Sequence, residues 1–288
     1  MPNQNTDDRV TPEQKNGLYR IQLANLALEI NPETGGLITA LTIDGANFLT
    51  GKDVHPDFWG STFWPSPQSD WGNTPPPELD HQPYAVSVDN NRVTLVSQKA
   101  ATLGDVVTKE ISGNEPNRSF TIRYTITNGS DQPRRVAPWE VTRVHPGGLT
   151  FYPSGSDNRW GNIAGLAEDL EGITWFQHQK TAYPSLHNKF FADGSEGWLA
   201  QVKDGILFVK KFPEITANEA APSEAEIEIY TNQAGTYVEI EQQGRWQELQ
   251  PGASLTWEVS WFLRRLPDGI KPDLGSQDLV SYVRKLVE

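Results

Sequence analysis

Two glutamates, Glu239 and Glu241, stand two residues apart in the segment TYVEIEQQ. The segment alternates apolar and polar residues and so predicts a β-strand, on which both carboxylates project from one face. Neighbouring carboxylates raise each other's proton affinity, which suits one of them to act as a general base near neutral pH. The alternative is an acidic strand that faces solvent, a pattern that the segment EAEIEIY also has.

Trp64 and Trp71 lie in a proline-rich segment, STFWPSPQSDWG. Prolines lack a backbone N–H, so the pattern predicts a long loop over residues 53–83 instead of a ladder strand. Indole faces suit the apolar faces of sugar rings, and polar side chains of the loop, such as Asp70, suit sugar hydroxyl groups. The composition indicates a sugar-binding loop, while packing of the indoles on the core is the alternative.

His81 follows Asp80 beside this loop. A neighbouring carboxylate favours the charged imidazole, so His81 is a candidate general acid, with a plain surface histidine as the alternative. The five histidines show no metal-ligand spacing and the chain has no cysteine, so we expect no metal and no cofactor. The segment QHQKTAYPSLHNKFF, which contains His187 and Lys189, could form another wall of a site.

The segment VAPWEVTRV adds further candidates. Alternation places Trp139 and Arg143 on one strand face and Glu140 on the other, and Pro138 argues against a central ladder position. Trp139 is a third candidate for sugar stacking, and Glu140 and Arg143 are candidates for holding hydroxyl groups. An ion pair of Glu140 with Arg143 or Arg135 is the alternative, because an unpaired buried charge is costly.

Lys210 and Lys211 are adjacent in FVKKF and therefore point to opposite faces of a strand. One of them is expected to point inward or along a rim, and a buried lysine needs an acidic partner or a ligand. Lys211 is included among the candidate substrate-binding residues.

The net charge of −13 over 288 residues disfavours nucleic acid and anionic membrane surfaces as partners. No apolar run is long enough to cross a bilayer. The N-terminal segment has no apolar stretch typical of a signal peptide, so we expect a cytoplasmic protein, or an exported one if a targeting segment is missing. The oligomeric state is not predictable from these features.

Short alternating segments with turn signals run through most of the chain and predict one all-β domain of antiparallel strands with long loops. An Asp44-Gly45 turn predicts a hairpin. Residues 1–16 are polar and predict a flexible tail, followed by a single domain over residues 17–288. The last segment, SQDLVSYVRKLVE, predicts the one clear helix, with Ser276 as its N-cap.

The segments NPETGGLITALTIDG, YTITNGSDQPRRVAPWEV and YVEIEQQGRWQELQPGASLTWEVSWFLRRL resemble, in this order, the galactose mutarotase-like superfamily. The segments GSTFWPSPQSDWG and PPPELDHQPY resemble, more narrowly, a bacterial family within it that is known only as a domain of unknown function. The resemblance covers residues 18–267 and implies a galactose mutarotase-like β-supersandwich with a short C-terminal helix.

The resemblance also implies an activity. In aldose 1-epimerases of this fold a glutamate takes the proton of the anomeric hydroxyl and a histidine protonates the ring oxygen. Glu241, or alternatively Glu239, matches the base, and His81 lies in a region that supplies a histidine. The N-H-x-Y-F and H-G-G motifs of those enzymes are absent here. A carbohydrate-binding module without catalysis, or a lyase or hydrolase of oligosaccharides, are the alternatives.

Overall fold

The computed structural model of the protein describes residues 10–156, 159–179 and 182–288. Its strands, numbered in chain order, are β1 (Glu13–Lys15), β2 (Leu18–Leu23), β3 (Leu26–Asn31), β4 (Leu37–Ile43), β5 (Ala46–Asn47), β6 (Ser61–Ser66), β7 (Ala85–Asp89), β8 (Arg92–Val96), β9 (Asp105–Asn114), β10 (Ser119–Asn128), β11 (Arg134–Val144), β12 (Leu149–Pro153), β13 (Trp160–Gly161), β14 (Glu168–Leu170), β15 (Ile173–Gln177), β16 (His187–Ala192), β17 (Trp198–Lys203), β18 (Ile206–Lys211), β19 (Ile227–Asn232), β20 (Val238–Gln243), β21 (Gln247–Leu249) and β22 (Ser254–Arg265). The α-helices are α1 (Pro77–Asp80) and α2 (Gln277–Val287), and three short 3₁₀-helices span Gln68–Asp70, Ala164–Leu166 and Ala217–Glu219.

Two antiparallel sheets form the fold. The larger sheet has twelve strands, in the order β1-β2-β3-β4-β6-β11-β20-β19-β16-β13, with β5 on β4 and β21 on β11. The smaller sheet has ten strands, in the order β14-β15-β12-β17-β18-β22-β10-β9-β8-β7. The prediction of an all-β chain of antiparallel strands is therefore confirmed.

Local sequence signals place several elements as predicted. The Asp44-Gly45 turn, with positive φ at both residues, joins β4 to β5. Ser276 caps α2 by accepting a hydrogen bond from the backbone N–H of Leu279 at 3.3 Å. Leu279 and Val283 of α2 are buried against a cluster on the smaller sheet, so this helix covers the outer face of that sheet.

The predicted N-terminal tail is only partly covered by the structure, because residues 1–9 lie outside the described residues. Glu13–Lys15 form β1, which pairs with β2 across an Asn16-Gly17 turn with positive φ at both positions. Turns of this sequence are a strong hairpin signal. Regular structure therefore begins before residue 17, where the sequence places the start of the domain.

The prediction of a loop over residues 53–83 is wrong for Ser61–Ser66, which form β6. Strand β6 lies between β4 and β11 in the larger sheet, and Trp64 is therefore a strand residue. Pro65 faces Pro138 of β11, so the two residues that lack an N–H group meet at one register position. The missing backbone hydrogen bonds between β6 and β11 are thereby confined to one position of the register. Two prolines that would each argue against a central strand are therefore compatible with this pairing.

The interior between the sheets contains a charged pair. Glu140 of β11 and Lys210 of β18 are fully buried, with Nζ 3.1 Å from Oε1. Tyr124 donates a hydrogen bond to Glu140 at 2.6 Å, and Gln242 donates another at 2.6 Å. Burial lowers the pKa of Lys210 to about 8, against the opposing effect of the Glu140 charge. The prediction that one lysine of the pair points inward to an acidic partner is therefore confirmed for Lys210.

None of the helices among the described residues is long and apolar enough to cross a membrane.

We expect Lys210→Met to destabilise the protein by about 3–5 kcal/mol, because it leaves Glu140 buried without its cation. Lys211→Met is the matched control, since Lys211 is partly exposed and donates to the Glu196 backbone carbonyl. Urea unfolding of both variants measures the two costs. Equal losses of stability in the two variants would contradict a special role for the buried pair.

Candidate functional site

Strands β11, β20, β19 and β16 place the candidate residues on the outer face of the larger sheet, which points away from the smaller sheet. Side chains that face each other across paired strands lie on the same face. One cross-strand row of the register therefore carries Val141, Glu241, Glu228, Phe191 and Trp160, and the next carries Arg143, Glu239, Tyr230 and Lys189. Glu239 and Glu241 thus share a face, as the alternation predicts.

A pocket of about 330 Å³ opens on this face, and we call it the aromatic pocket. The segment after β6 folds over the sheet and forms one side of it. The aromatic pocket is lined by Phe58, Trp64, Gln68, Trp71, Asn73, Pro75, Trp139, His187, Lys189, Tyr230, Tyr237 and Glu239. Apolar rings with a few polar groups between them are typical of small-molecule sites.

Three tryptophans form the most apolar part of the lining. The ring centroid of Trp64 lies 5.3 Å from that of Trp139 and 5.7 Å from that of Trp71. Each indole N–H is satisfied, by Asp80 at 2.7 Å for Trp64, by the Pro65 carbonyl at 2.7 Å for Trp71, and by Glu241 at 2.8 Å for Trp139. The rings therefore have fixed orientations before any ligand binds.

A cluster of one cation and two carboxylates lies behind the tryptophans. Lys189 Nζ lies 2.5 Å from Glu228 Oε2 and 3.1 Å from Glu241 Oε2. Both carboxylates are fully buried, whereas the Lys189 side chain is partly exposed to the pocket. Glu241 Oε1 has no hydrogen-bond partner among the described residues. Lys189 and Trp139, the two partners of Glu241, both line the pocket, so Glu241 lies directly behind the lining.

Burial favours the protonated form of the carboxyl groups in this cluster. Burial raises the pKa of Glu241 to about 8, with Lys189 opposing the rise and Glu228 adding to it. Burial also raises the pKa of Glu228 to about 7, against the effect of Lys189. The pKa of Lys189 would fall on burial alone, but the charges of the two carboxylates raise it. Glu228 and Glu241 therefore hold a shared proton to a higher pH than exposed carboxyl groups do, and this proton offsets part of the negative charge of the cluster.

A second ion pair holds the other candidate base. Arg143 donates to Glu239 at 2.8 Å, directly across β11 and β20. The guanidinium also lies 5.3 Å from the ring centroid of Trp64 and 5.6 Å from that of Phe58. Glu239 lines the pocket, but its charge is already matched by Arg143.

Four candidates from the sequence lie away from the pocket. Glu140 points into the interior, as its alternation with Trp139 requires, so it pairs with neither Arg143 nor Arg135 and does not reach the pocket. Asp70 pairs with Arg134 at 3.0 Å on the surface. Lys211 lies on β18 of the smaller sheet.

His81 is the fourth of these residues. It is half exposed after the end of α1, with Nδ1 3.1 Å from Asp80 Oδ2. Asp80 in turn holds the indole of Trp64, so His81 is separated from the pocket by this pair. The structure therefore does not bring His81 and Glu241 to one cavity.

Sequence reasoning missed several residues of the lining. Phe58, Tyr230 and Tyr237 line the pocket but are not among the candidates from the sequence. Tyr230 and Tyr237 do stand in the segments EAEIEIY and TYVEIEQQ, and alternation places Tyr230 on the face of Glu228. The sequence indicates Lys189 only as part of a segment that could form another wall of a site. Among the described residues no group of three or more His, Asp or Glu side chains is arranged to hold a metal ion.

Comparisons with known proteins agree with this fold. The family model described as "Domain of unknown function (DUF4380)" matches residues 75–264. No curated protein matches the chain.

Solved structures provide the other comparison. Protein Slr1438 from Synechocystis sp. PCC 6803 is 16% identical with a TM-score of 0.61, over 88% of this chain and 98% of its own. A galactose mutarotase-like protein from Lactobacillus casei is 13% identical with a TM-score of 0.60, over 86% and 100%. A galactose mutarotase related enzyme from Lactobacillus acidophilus is 11% identical with a TM-score of 0.61, over 88% and 99%. These similarities confirm the predicted galactose mutarotase-like fold.

The shared proton has a consequence for stability. The pKa values of Glu228 and Glu241 in the fold exceed their ordinary value of 4.5, so the folded chain keeps protons that the unfolded chain has lost. Their contribution to stability is therefore full below about pH 4.5 and decreases as the pH rises to about 8. We expect Glu228→Gln to reduce this decrease by on the order of 2 kcal/mol, measured as unfolding free energies at about pH 5 and about pH 8.

Glu258→Gln is the control for this experiment, because Glu258 forms an exposed ion pair with Arg123 on the smaller sheet. We expect this control to follow the wild-type pH dependence. An unchanged pH dependence in Glu228→Gln would contradict the shared proton.

Proposed function

The chain belongs to the DUF4380 family of domains of unknown function, and from its aromatic pocket we propose that it is a carbohydrate-active protein that binds a neutral sugar. The observation that carries the proposal is the aromatic pocket itself, whose wall contains the partly exposed indole of Trp71 packed on the buried indoles of Trp64 and Trp139. Glu239, Gln68 and Asn73 offer hydrogen bonds to its hydroxyl groups at the rim. The fold is consistent with a carbohydrate-related role.

The charges of the pocket favour a neutral ring over an anionic one. Lys189 is the only lysine or arginine in the described lining, and it is already paired with Glu228 and Glu241. A phosphate or carboxylate on the sugar would meet no unpaired cation there and would approach Glu239.

The reaction that we propose is epimerisation at the anomeric carbon, with Glu241 as the base. The Glu241 carboxylate takes the proton of the anomeric hydroxyl, and the bond between C1 and the ring oxygen breaks. Lys189, which touches Glu241 and lines the pocket, gives a proton to the ring oxygen as that oxygen becomes alkoxide-like. Rotation about C1–C2 follows, and the ring then closes as both proton transfers are reversed. Glu241 returns its proton to the oxygen on C1, and the ring oxygen returns its proton to Lys189. Lys189 takes the place of His81, which lies outside the pocket.

Sugar binding without catalysis is the second candidate function. One observation favours it: Glu241 has no exposed surface, so Lys189 must move toward the sugar before the carboxylate can reach it. A binding protein needs no such movement. A lyase or hydrolase acting on an oligosaccharide is favoured by no contact in the pocket.

We expect the wild type to accelerate exchange between the anomers of glucose or galactose, measured by saturation transfer in NMR. Glu241→Gln is expected to lose at least about 100-fold of this rate, which is the usual contribution of a general base. The wild-type rate is expected to rise with pH and to level off above about pH 8, because Glu241 must be ionised. Glu228→Gln removes a like charge and is expected to shift this rise to lower pH.

Glu258→Gln serves again as the control, with a rate equal to the wild type. Exchange that persists in Glu241→Gln would exclude this residue as the base. Sugar binding to the wild type without accelerated exchange would favour the binding protein instead.

A further inference from the structure

A second aromatic surface lies beside the aromatic pocket. Trp160 of β13 stacks on Phe191 of β16, with ring centroids 5.1 Å apart and an interplanar angle of 4°. Trp160 is 39% exposed, although tryptophan side chains usually bury most of their surface in a folded protein. We call these two rings the edge platform, because β13 is the last strand of the larger sheet.

The edge platform continues the lining of the pocket along β16. His187 and Lys189 line the pocket, and Phe191 is the next residue on the same face of that strand. Lys189 Nζ lies 4.8 Å from the ring centroid of Trp139 and 5.2 Å from that of Phe191. A ligand that fills the pocket therefore meets the edge platform as soon as it extends past Lys189.

The edge platform also shares a cross-strand row with Glu241. Glu241 faces Glu228, Glu228 faces Phe191, and Phe191 faces Trp160. Neighbouring strands lie about 4.8 Å apart, so the backbone of Phe191 is roughly 10 Å from that of Glu241 and that of Trp160 roughly 15 Å. Adjacent rings of one glycan can bridge such a distance.

The backbone under Trp160 is held in place. Asn162 donates to the His187 carbonyl at 3.0 Å and accepts from the Lys189 N–H at 2.9 Å. Gly161 has a φ of +112°, and a Cβ there would collide with the Lys189 carbonyl, so β13 fits against β16 only with glycine. An exposed indole on such a fixed support loses little freedom when a ligand stacks on it.

We propose that the edge platform binds the second sugar ring of a neutral oligosaccharide whose first ring occupies the aromatic pocket. The proposal rests on the sugar-binding function proposed for that pocket. Lys189, which lies over Phe191, is paired with Glu228 and Glu241, and Arg159, which precedes Trp160, is paired with Asp169, so the described cations beside the edge platform already have acidic partners. The substrate class is then a reducing disaccharide or longer glycan, with its reducing end over Glu241, in preference to a free monosaccharide.

The test compares glucose and galactose with the reducing disaccharides maltose, cellobiose and lactose, by titration calorimetry or ligand-observed NMR. We expect at least one disaccharide to bind the wild type about ten-fold more tightly than its monosaccharide, the size of one aromatic contact. Trp160→Ala is expected to remove this advantage and to leave monosaccharide affinity unchanged. Phe191→Leu, which keeps an apolar side chain but no flat ring, is expected to act in the same direction.

Trp246→Ala is the matched control, because Trp246 is a partly exposed indole that stacks on Arg135 away from the pocket. It should alter neither affinity. Equal loss of monosaccharide and disaccharide binding in Trp160→Ala, or no effect of that variant on a disaccharide preference, would overturn the edge platform as a subsite. No disaccharide preference in the wild type would do the same.

Two further outcomes separate this inference from the proposed function. If none of the five sugars binds the wild type, the proposed function fails and the inference fails with it. If the wild type self-associates in sedimentation and Trp160→Ala does not, the edge platform is an interface between copies of the chain, and the inference fails while the pocket is unaffected.

Discussion

The two-residue period of β11 and β20 is the constraint on which both the interior and the pocket depend. On the inner face Glu140 and Gln242 bind Lys210 across the gap between the sheets. On the outer face Trp139 and Glu241 bind each other behind the pocket. A slip of either strand by one residue would exchange the two sets and leave the buried charges unpaired. The pairing of Glu140 with Lys210 therefore fixes which side chains can face a ligand.

Much of this arrangement follows from patterns that a single sequence contains. Alternation in VAPWEVTRV separates Glu140 from Trp139 and Arg143, and the structure places them on opposite faces. The same rule predicts that only one of Lys210 and Lys211 is buried. The apolar and polar periods of the strands, the hairpin turn and the capped C-terminal helix are local features, and local interactions decide them.

Other features depend on which strands pair with each other, and the local sequence pattern does not reveal the pairing. Pro65 and Pro138 each argue against a central strand, and only their position opposite each other makes both acceptable. Lys189 becomes the central cation of the site because β16 pairs with β19, which a polar segment does not reveal. His81 is adjacent in sequence to the aromatic segment, but the direction of α1 turns it outward. Proximity in sequence predicted the wrong neighbour in that case.

Lys189 couples ligand binding in the pocket to proton uptake from solution. Its ammonium is the only described cation in contact with Glu228 and Glu241, and both carboxyl groups titrate near neutral pH because they are buried. A ligand that draws the ammonium toward itself would weaken this contact and increase the proton affinity of both groups. Ligand binding at neutral pH would then take up protons from the buffer. The measured heat of binding would consequently vary with the ionisation enthalpy of the buffer, even for a ligand that carries no charge.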